Sequence, residues 1–134
     1  MLESNEKQNE KIGGICRSFG IKILLLFGSE VSGKTHAESD IDLAFAGRKL
    51  SFEETAAFNA ELQAVFGDKR VETVDISNVS PLLRKRIFNQ HAPLYLEDKF
   101  LYYDLASYAL KSYLETKFLR DRLGKYLEKK YVKH

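Results

Sequence analysis

Gly28-Ser29 is followed by ten residues and then by Asp40-x-Asp42, and a further carboxylate, Asp75, stands later in the chain. Alternate residues of a strand lie about 6.5 to 7 Å apart on one face, so Asp40 and Asp42 can approach one hard cation together. A neighbouring strand could bring Asp75 alongside. Three clustered carboxylates repel one another unless cations neutralise them. Mg²⁺ suits oxygen ligands, and two such ions about 3.5 to 4 Å apart can activate an attacking hydroxyl and stabilise a leaving pyrophosphate in an in-line displacement. Gly28 has no Cβ, so phosphate oxygens can come close to the backbone there, and Ser29 can donate its hydroxyl to them. Taken separately, Gly28-Ser29 reads as a turn and Asp-x-Asp as solvated edge charge; their joint spacing with a third acid favours a site. Asp75 is open between a metal ligand and a general base for the incoming hydroxyl.

The same loop, Gly28-Ser29-Glu30-Val31-Ser32-Gly33-Lys34-Thr35, also fits the phosphate-loop pattern G-x-x-x-x-G-K-S/T. Lys34 and Thr35 would then open a helix whose amides hold phosphates. A strand pattern begins at about Asp40, so His36 to Ser39 leaves barely one helical turn before it. The context that such a loop needs is missing.

The elements that would position these residues follow from periodicity. Ser4 can cap a first helix carrying Ile12, Ile15, Cys16 and Phe19 at i, i+3, i+4, i+7, with Gly20 as its stop. Cys16 then reads as a buried helix-face residue. Ile21 to Phe27 is an apolar run ending at Gly28-Ser29, the pattern of a central strand entering a turn. Asp40 to Phe45 alternates, with Ile41, Leu43 and Phe45 opposite the two aspartates. Ser51-Phe52-Glu53-Glu54 is a capping box before a helix that carries Phe58, Leu62, Val65 and Phe66 and stops at Gly67. Arg70 to Ile76 is the next strand, with Asp75 on the face of Val71 and Thr73. Ser80-Pro81 starts a short helix to about Asn89, and Pro93 to Leu96 forms a short last strand. From Phe100 the pattern is helical, with an uncharged stripe at 102, 105, 109, 112, 116, 119, 123 and 126. The fold class is α/β (α+β): a small mixed sheet flanked by helices, with a long C-terminal helix. Residues 1–99 form the domain and 100–134 a helical extension packed on the domain or on a partner.

The chain resembles the minimal nucleotidyltransferases of the polymerase-beta-like superfamily, which pair with HEPN-domain ribonucleases in toxin–antitoxin modules. The resemblance covers roughly residues 12 to 97: Leu24-Leu25-Leu26-Phe27-Gly28-Ser29, Ser39-Asp40-Ile41-Asp42-Leu43, Val74-Asp75 and Leu94-Tyr95. It implies transfer of AMP from ATP, with Mg²⁺ held by Asp40, Asp42 and Asp75 and the nucleotide by Gly28 and Ser29. The implied acceptor is a tyrosine hydroxyl on a cognate HEPN toxin, and the implied role that of an antitoxin. Members often carry Ala-Arg where this chain has Val31-Ser32; Lys34 is a basic residue nearby.

Composition narrows the alternatives. With 134 residues the chain can bury one core. A single cysteine excludes a disulfide-stapled module and a zinc finger. The net charge of +2 gives no mandate for nucleic-acid binding. The apolar run of Ile23 to Phe27 is far short of a membrane span, and the polar start is unlike a signal peptide, so a cytoplasmic location is expected. His36, His91 and His134 lack mutual ligand spacing and read as surface residues; Arg84-Lys85-Arg86 reads as a solvated helix face with Leu83 and Ile87 turned inward. Residues 1 to 99 carry net −2 and residues 100 to 134 net +4. The basic tail holds six of the seven tyrosines, and Leu110, Leu114 and Phe118 add a second apolar row, which makes it a candidate partner or oligomer surface. A non-catalytic module masking its partner through this helix is the alternative function.

Overall fold

The computed structural model of the chain describes residues 2–28 and 40–132. Its elements are α1 (Leu2–Phe19), β1 (Ile21–Phe27), β2 (Ile41–Gly47), α2 (Phe52–Phe66), β3 (Val71–Asp75), α3 (Pro81–Asn89), β4 (His91–Leu96) and α4 (Lys99–Leu127). A 3₁₀ turn, Ile76–Asn78, links β3 to α3, and a π-helical end, Glu128–Val132, follows α4. The strands form one mixed sheet in the order β3-β2-β1-β4. β1 is antiparallel to both neighbours, whereas β2 and β3 are parallel. Parallel neighbours need a crossover, and α2 supplies it.

The sheet is covered on both faces. On one, Ile12 and Cys16 of α1 and Phe58 and Leu62 of α2 pack on Leu24, Ile41, Leu43, Phe45 and Val71. A bulge in the β1–β2 register between Ile21 and Ile23 lets Ile21 join this face despite standing three residues from Leu24. Phe58 contacts Phe45 at 5.2 Å and Phe19 at 5.3 Å between ring centroids, separations typical of favourable aromatic pairs. Burial pushes the Cys16 thiol up to about 12, against a smaller opposing effect of Arg17. It is an inert core group, as its helical spacing indicated.

The other face is lined by Ile23, Leu25, Ala44 and Ala46 and covered by Ile76, by Ile87 of α3 and by Leu101, Tyr102 and Leu105 of α4. Small alanines on β2 leave room for these helices. Asp98 opens α4, accepting from the Leu101 amide at 3.0 Å.

Several local expectations are met. Ser51 and Glu54 make the reciprocal capping box (3.0 and 3.1 Å), and Ser80 accepts from the Leu83 amide at 3.2 Å. Others are corrected. α1 begins at Leu2, so Ser4 lies inside the helix rather than before it. Arg84 is not on a solvated face: it is 6% exposed, donates to the carbonyls of Ile76 (3.2 Å) and Val79 (3.0 Å), and lies 4.8 Å from the Tyr108 ring centroid. Carbonyl dipoles and a ring face replace water around this buried guanidinium. His91 is half-buried, with Nε2 2.6 Å from the Tyr102 hydroxyl and Nδ1 3.1 Å from the Phe88 carbonyl.

The α4 stripe is only half used. Ala109 and Ser112 are buried, but Leu119, Leu123 and Tyr126 are exposed, as are Leu110, Leu114 and Phe118. Among the described residues no helix is long and apolar enough to cross a membrane.

Candidate active site

Asp42 is the second residue of β2, so alternation sends it to the face of Ala44 and Ala46, under α3 and α4. It stands opposite Phe27 on β1 and opposite Glu72 on β3. Asp40 is half-buried just ahead of the strand, where the Ile41 amide donates to the Arg70 carbonyl at 2.7 Å. That bond ties the entry of β2 to the entry of β3.

Gly28 leaves β1 with φ +84°, a conformation that favours glycine. A Cβ on it would stand 2.9 Å from Asp42 Oδ2. The turn and the aspartate are therefore in contact, and a hydrogen is all that fits between them. This juxtaposition agrees with the spacing read from the sequence.

The Asp42 carboxyl is held above its ordinary value, first by burial, then by the charges of Glu72 and Asp40; Arg86 of α3 opposes the shift. Burial and like charges both disfavour the ionised form. Glu72 also meets Arg70 at 3.5 Å in an exposed ion pair, a contact worth little in water.

Asp75 is not brought to this group. It stands opposite Phe45, three positions along the strand from Glu72 and therefore on the opposite face. Its carboxylate caps the 3₁₀ turn, accepting from the Ser77 amide at 2.9 Å and the Asn78 side chain at 3.4 Å. Such Asx turns are local structure. Thr73, on the Asp75 face, bonds Asn59 of α2 at 3.2 Å.

Two residues beside Asp42 were not singled out from the sequence. Glu72 is recognisable only once β2 and β3 are known to be parallel and in this register. Arg86 reads in sequence as part of a basic run, although its spacing of three and four from Asn89 and Gln90 places all three together. Ser29, Val31, Ser32, Lys34, Thr35, His36 and His134 lie outside the described residues.

Among the described residues no three acidic, histidine or cysteine side chains converge as a ready-made metal cage. Mg²⁺ does not require one, since it commonly takes one or two carboxylates and completes its shell with water and phosphate. The donor set at Asp40, Asp42 and Glu72 consists of carboxylates whose mutual repulsion a hard cation would relieve. The residues present fit such an ion.

The topology also weighs against the phosphate-loop pattern. In that motif the loop opens a crossover helix leading to a parallel strand. Here β2, the next strand among the described residues, is the direct antiparallel neighbour of β1.

The family described as "Polymerase beta, Nucleotidyltransferase" matches residues 10–100, more than half of the chain. The chain belongs to the polymerase beta nucleotidyltransferase family. Its enzyme class is that of a nucleotidyltransferase, and the sheet with its flanking helices is the polymerase-beta-like fold. Among solved structures, a candidate minimal nucleotidyltransferase is 26% identical with a TM-score of 0.59, covering 69% of this chain and 94% of that one. The complex of tri-AMPylated Shewanella oneidensis HEPN toxin with MNT antitoxin gives 19% identity and a TM-score of 0.71, covering 92% and 98%. A toxin–antitoxin structure with AMP-PNP gives 22% and 0.68, covering 90% and 96%. Likeness of the last two is one of fold. None of the curated proteins matches the chain.

Proposed function

We propose that this nucleotidyltransferase is an Mg²⁺-dependent protein adenylyltransferase, transferring AMP from ATP to a tyrosine hydroxyl of a HEPN-domain toxin and so acting as its antitoxin. The observation that carries the proposal is the contact between the Gly28 turn and the Asp42 carboxylate, with Glu72 across the strand pair. The fold neighbours described as MNT–HEPN complexes, one tri-AMPylated and another holding AMP-PNP, support the choice of partner and nucleotide.

In this reading Asp42, with Asp40 or Glu72, would hold the ion, which when bound neutralises triphosphate charge and favours ionisation of the attacking hydroxyl. Gly28 lets the triphosphate approach the backbone beside Asp42. Ser29 is proposed to donate its hydroxyl to a phosphate oxygen. Asp75 has no part in the reaction; it shapes the turn that leads to α3.

The acceptor is brought by the partner. Beyond Thr116 the helix α4 continues to Leu127, about 16 Å of helix. That stretch exposes Phe118, Leu119, Leu123 and Tyr126. An apolar face of this length on a small domain is a docking surface for another protein.

The test is incubation with α-labelled ATP, Mg²⁺ and the product of the neighbouring gene. Label is expected on a partner tyrosine, with pyrophosphate released, and none is expected from the Asp40→Asn/Asp42→Asn double variant. Transfer that persists in that variant sinks the proposal. The exposed α4 face also supports a second reading, a non-catalytic antitoxin that masks its partner. There the double variant still neutralises the toxin, whereas truncation near Lys99 does not.

A further inference from the structure

A cleft of about 140 Å³ opens beside the Gly28 turn, lined by Phe27, Gly28, Arg86, Asn89 and Gln90. Its floor is the end of β1 and its wall the last turn of α3. Arg86 and Asn89 stand three residues apart and Arg86 and Gln90 four apart, so the wall presents a guanidinium and two amides together.

Charges of both signs stand near Asp42. Glu72 stands opposite Asp42 in the strand register, whereas Arg86 lines the cleft with Gly28, whose turn meets the Asp42 carboxylate. Arg86 itself is exposed, and among the described residues it forms no ion pair. By contrast Arg84, two residues earlier, is consumed by backbone carbonyls. An exposed guanidinium lining the cleft at the glycine turn, with carboxylates near the same turn, makes a bipolar site. The acidic side suits a cation, and the basic side an anion that the cation does not fully neutralise.

We propose that Arg86, with Asn89 and Gln90, binds the terminal phosphates of the nucleotide and receives the leaving pyrophosphate. The inference rests on the nucleotidyl-transfer reading above. In the step concerned, the acceptor oxygen bonds to the α-phosphorus and the bond from that phosphorus to the bridging oxygen breaks. The electron pair leaves on the pyrophosphate, and the acceptor's proton passes to solvent. Negative charge grows on the bridging oxygen, and Arg86 stands where a fixed positive charge stabilises it. Arg86 thus contacts the part of ATP that AMP lacks.

The experiment compares ATP and AMP binding to the full chain by calorimetry in Mg²⁺, for wild type, Arg86→Ala and Arg86→Lys. Arg86→Ala is expected to weaken ATP about tenfold or more while leaving AMP within about twofold, and Arg86→Lys to recover part of the loss. Melting temperatures near wild type would show that this exposed position leaves folding intact. If Arg86 serves only as the counter-charge of Asp42, ATP and AMP weaken together, or neither does, and the proposal is overturned. A wild-type chain that neither binds ATP nor transfers label instead overturns the reading beneath it.

Discussion

Asp42 on β2 stands opposite Glu72 on β3 in a parallel register, so two carboxylates share the face of the sheet that α3 and α4 cover. Asp42 is held above its ordinary value by burial, then by Glu72 and Asp40. A carboxyl raised in the folded state contributes stability below the ordinary carboxylate range, and that contribution is lost as pH rises through the folded value.

Asp42→Asn is therefore expected to melt above wild type at neutral pH without divalent cation, and level with it in acid. The gain stays under about 1 kcal/mol, because the carboxylate is only half-buried and solvent screens it. Mg²⁺ should raise the melting temperature of wild type more than that of the variant. Thermal scans at two pH values, with and without Mg²⁺, check both statements; a variant less stable than wild type at neutral pH contradicts them.

Gly28→Ala puts a methyl 2.9 Å from Asp42 Oδ2 on a backbone at φ +84°. The left-handed backbone costs about 1 to 2 kcal/mol, and the displaced carboxylate should abolish transfer. Circular dichroism together with the label-transfer assay separates the two effects: the fold persists, with melting lowered by a few degrees, while activity is lost. Undiminished transfer would show that the close approach is not required.

Arg84 joins α3 to the carbonyls of Ile76 and Val79 from a buried position. Arg84→Ala leaves those carbonyls without this donor and should cost about 2 kcal/mol. Arg84→Lys should recover little, since an ammonium lacks the planar fork that reaches both. Urea midpoints measure both variants, and full recovery by lysine would contradict the geometry.

Leu114 and Phe118 stand one helical turn apart on α4, 53% and 61% exposed. Replacing both by Gln should change stability by less than about 0.5 kcal/mol per site. If a partner docks there, its capture weakens by about tenfold or more. Unchanged affinity in a pull-down titration would place the interface elsewhere.

Much of the molecule is legible from local pattern. The strand of Ile21 to Phe27, the capping box at Ser51, the cap at Ser80 and the buried Cys16 follow from periodicity and side-chain hydrogen bonding within a few residues. The Asp-x-Asp pair and the glycine before it were visible as a spacing. The fate of Arg84 was not, because a basic residue in a run reads as solvated until the neighbouring backbone offers it carbonyls.

Sequence alone determined the elements, their apolar faces and the pairing of Gly28 with Asp42, since each depends on near neighbours or on one strand-to-strand return. The tertiary structure decided which further acid stands beside Asp42. Val71-Glu72-Thr73-Val74-Asp75 carries carboxylates on both faces, and alternation within the strand cannot choose between them. The choice is made by the parallel register with β2, which α2 sets from a distance, placing Glu72 beside Asp42 and sending Asp75 to the following turn. The same holds for α4, whose uniform stripe is buried only as far as α3 reaches.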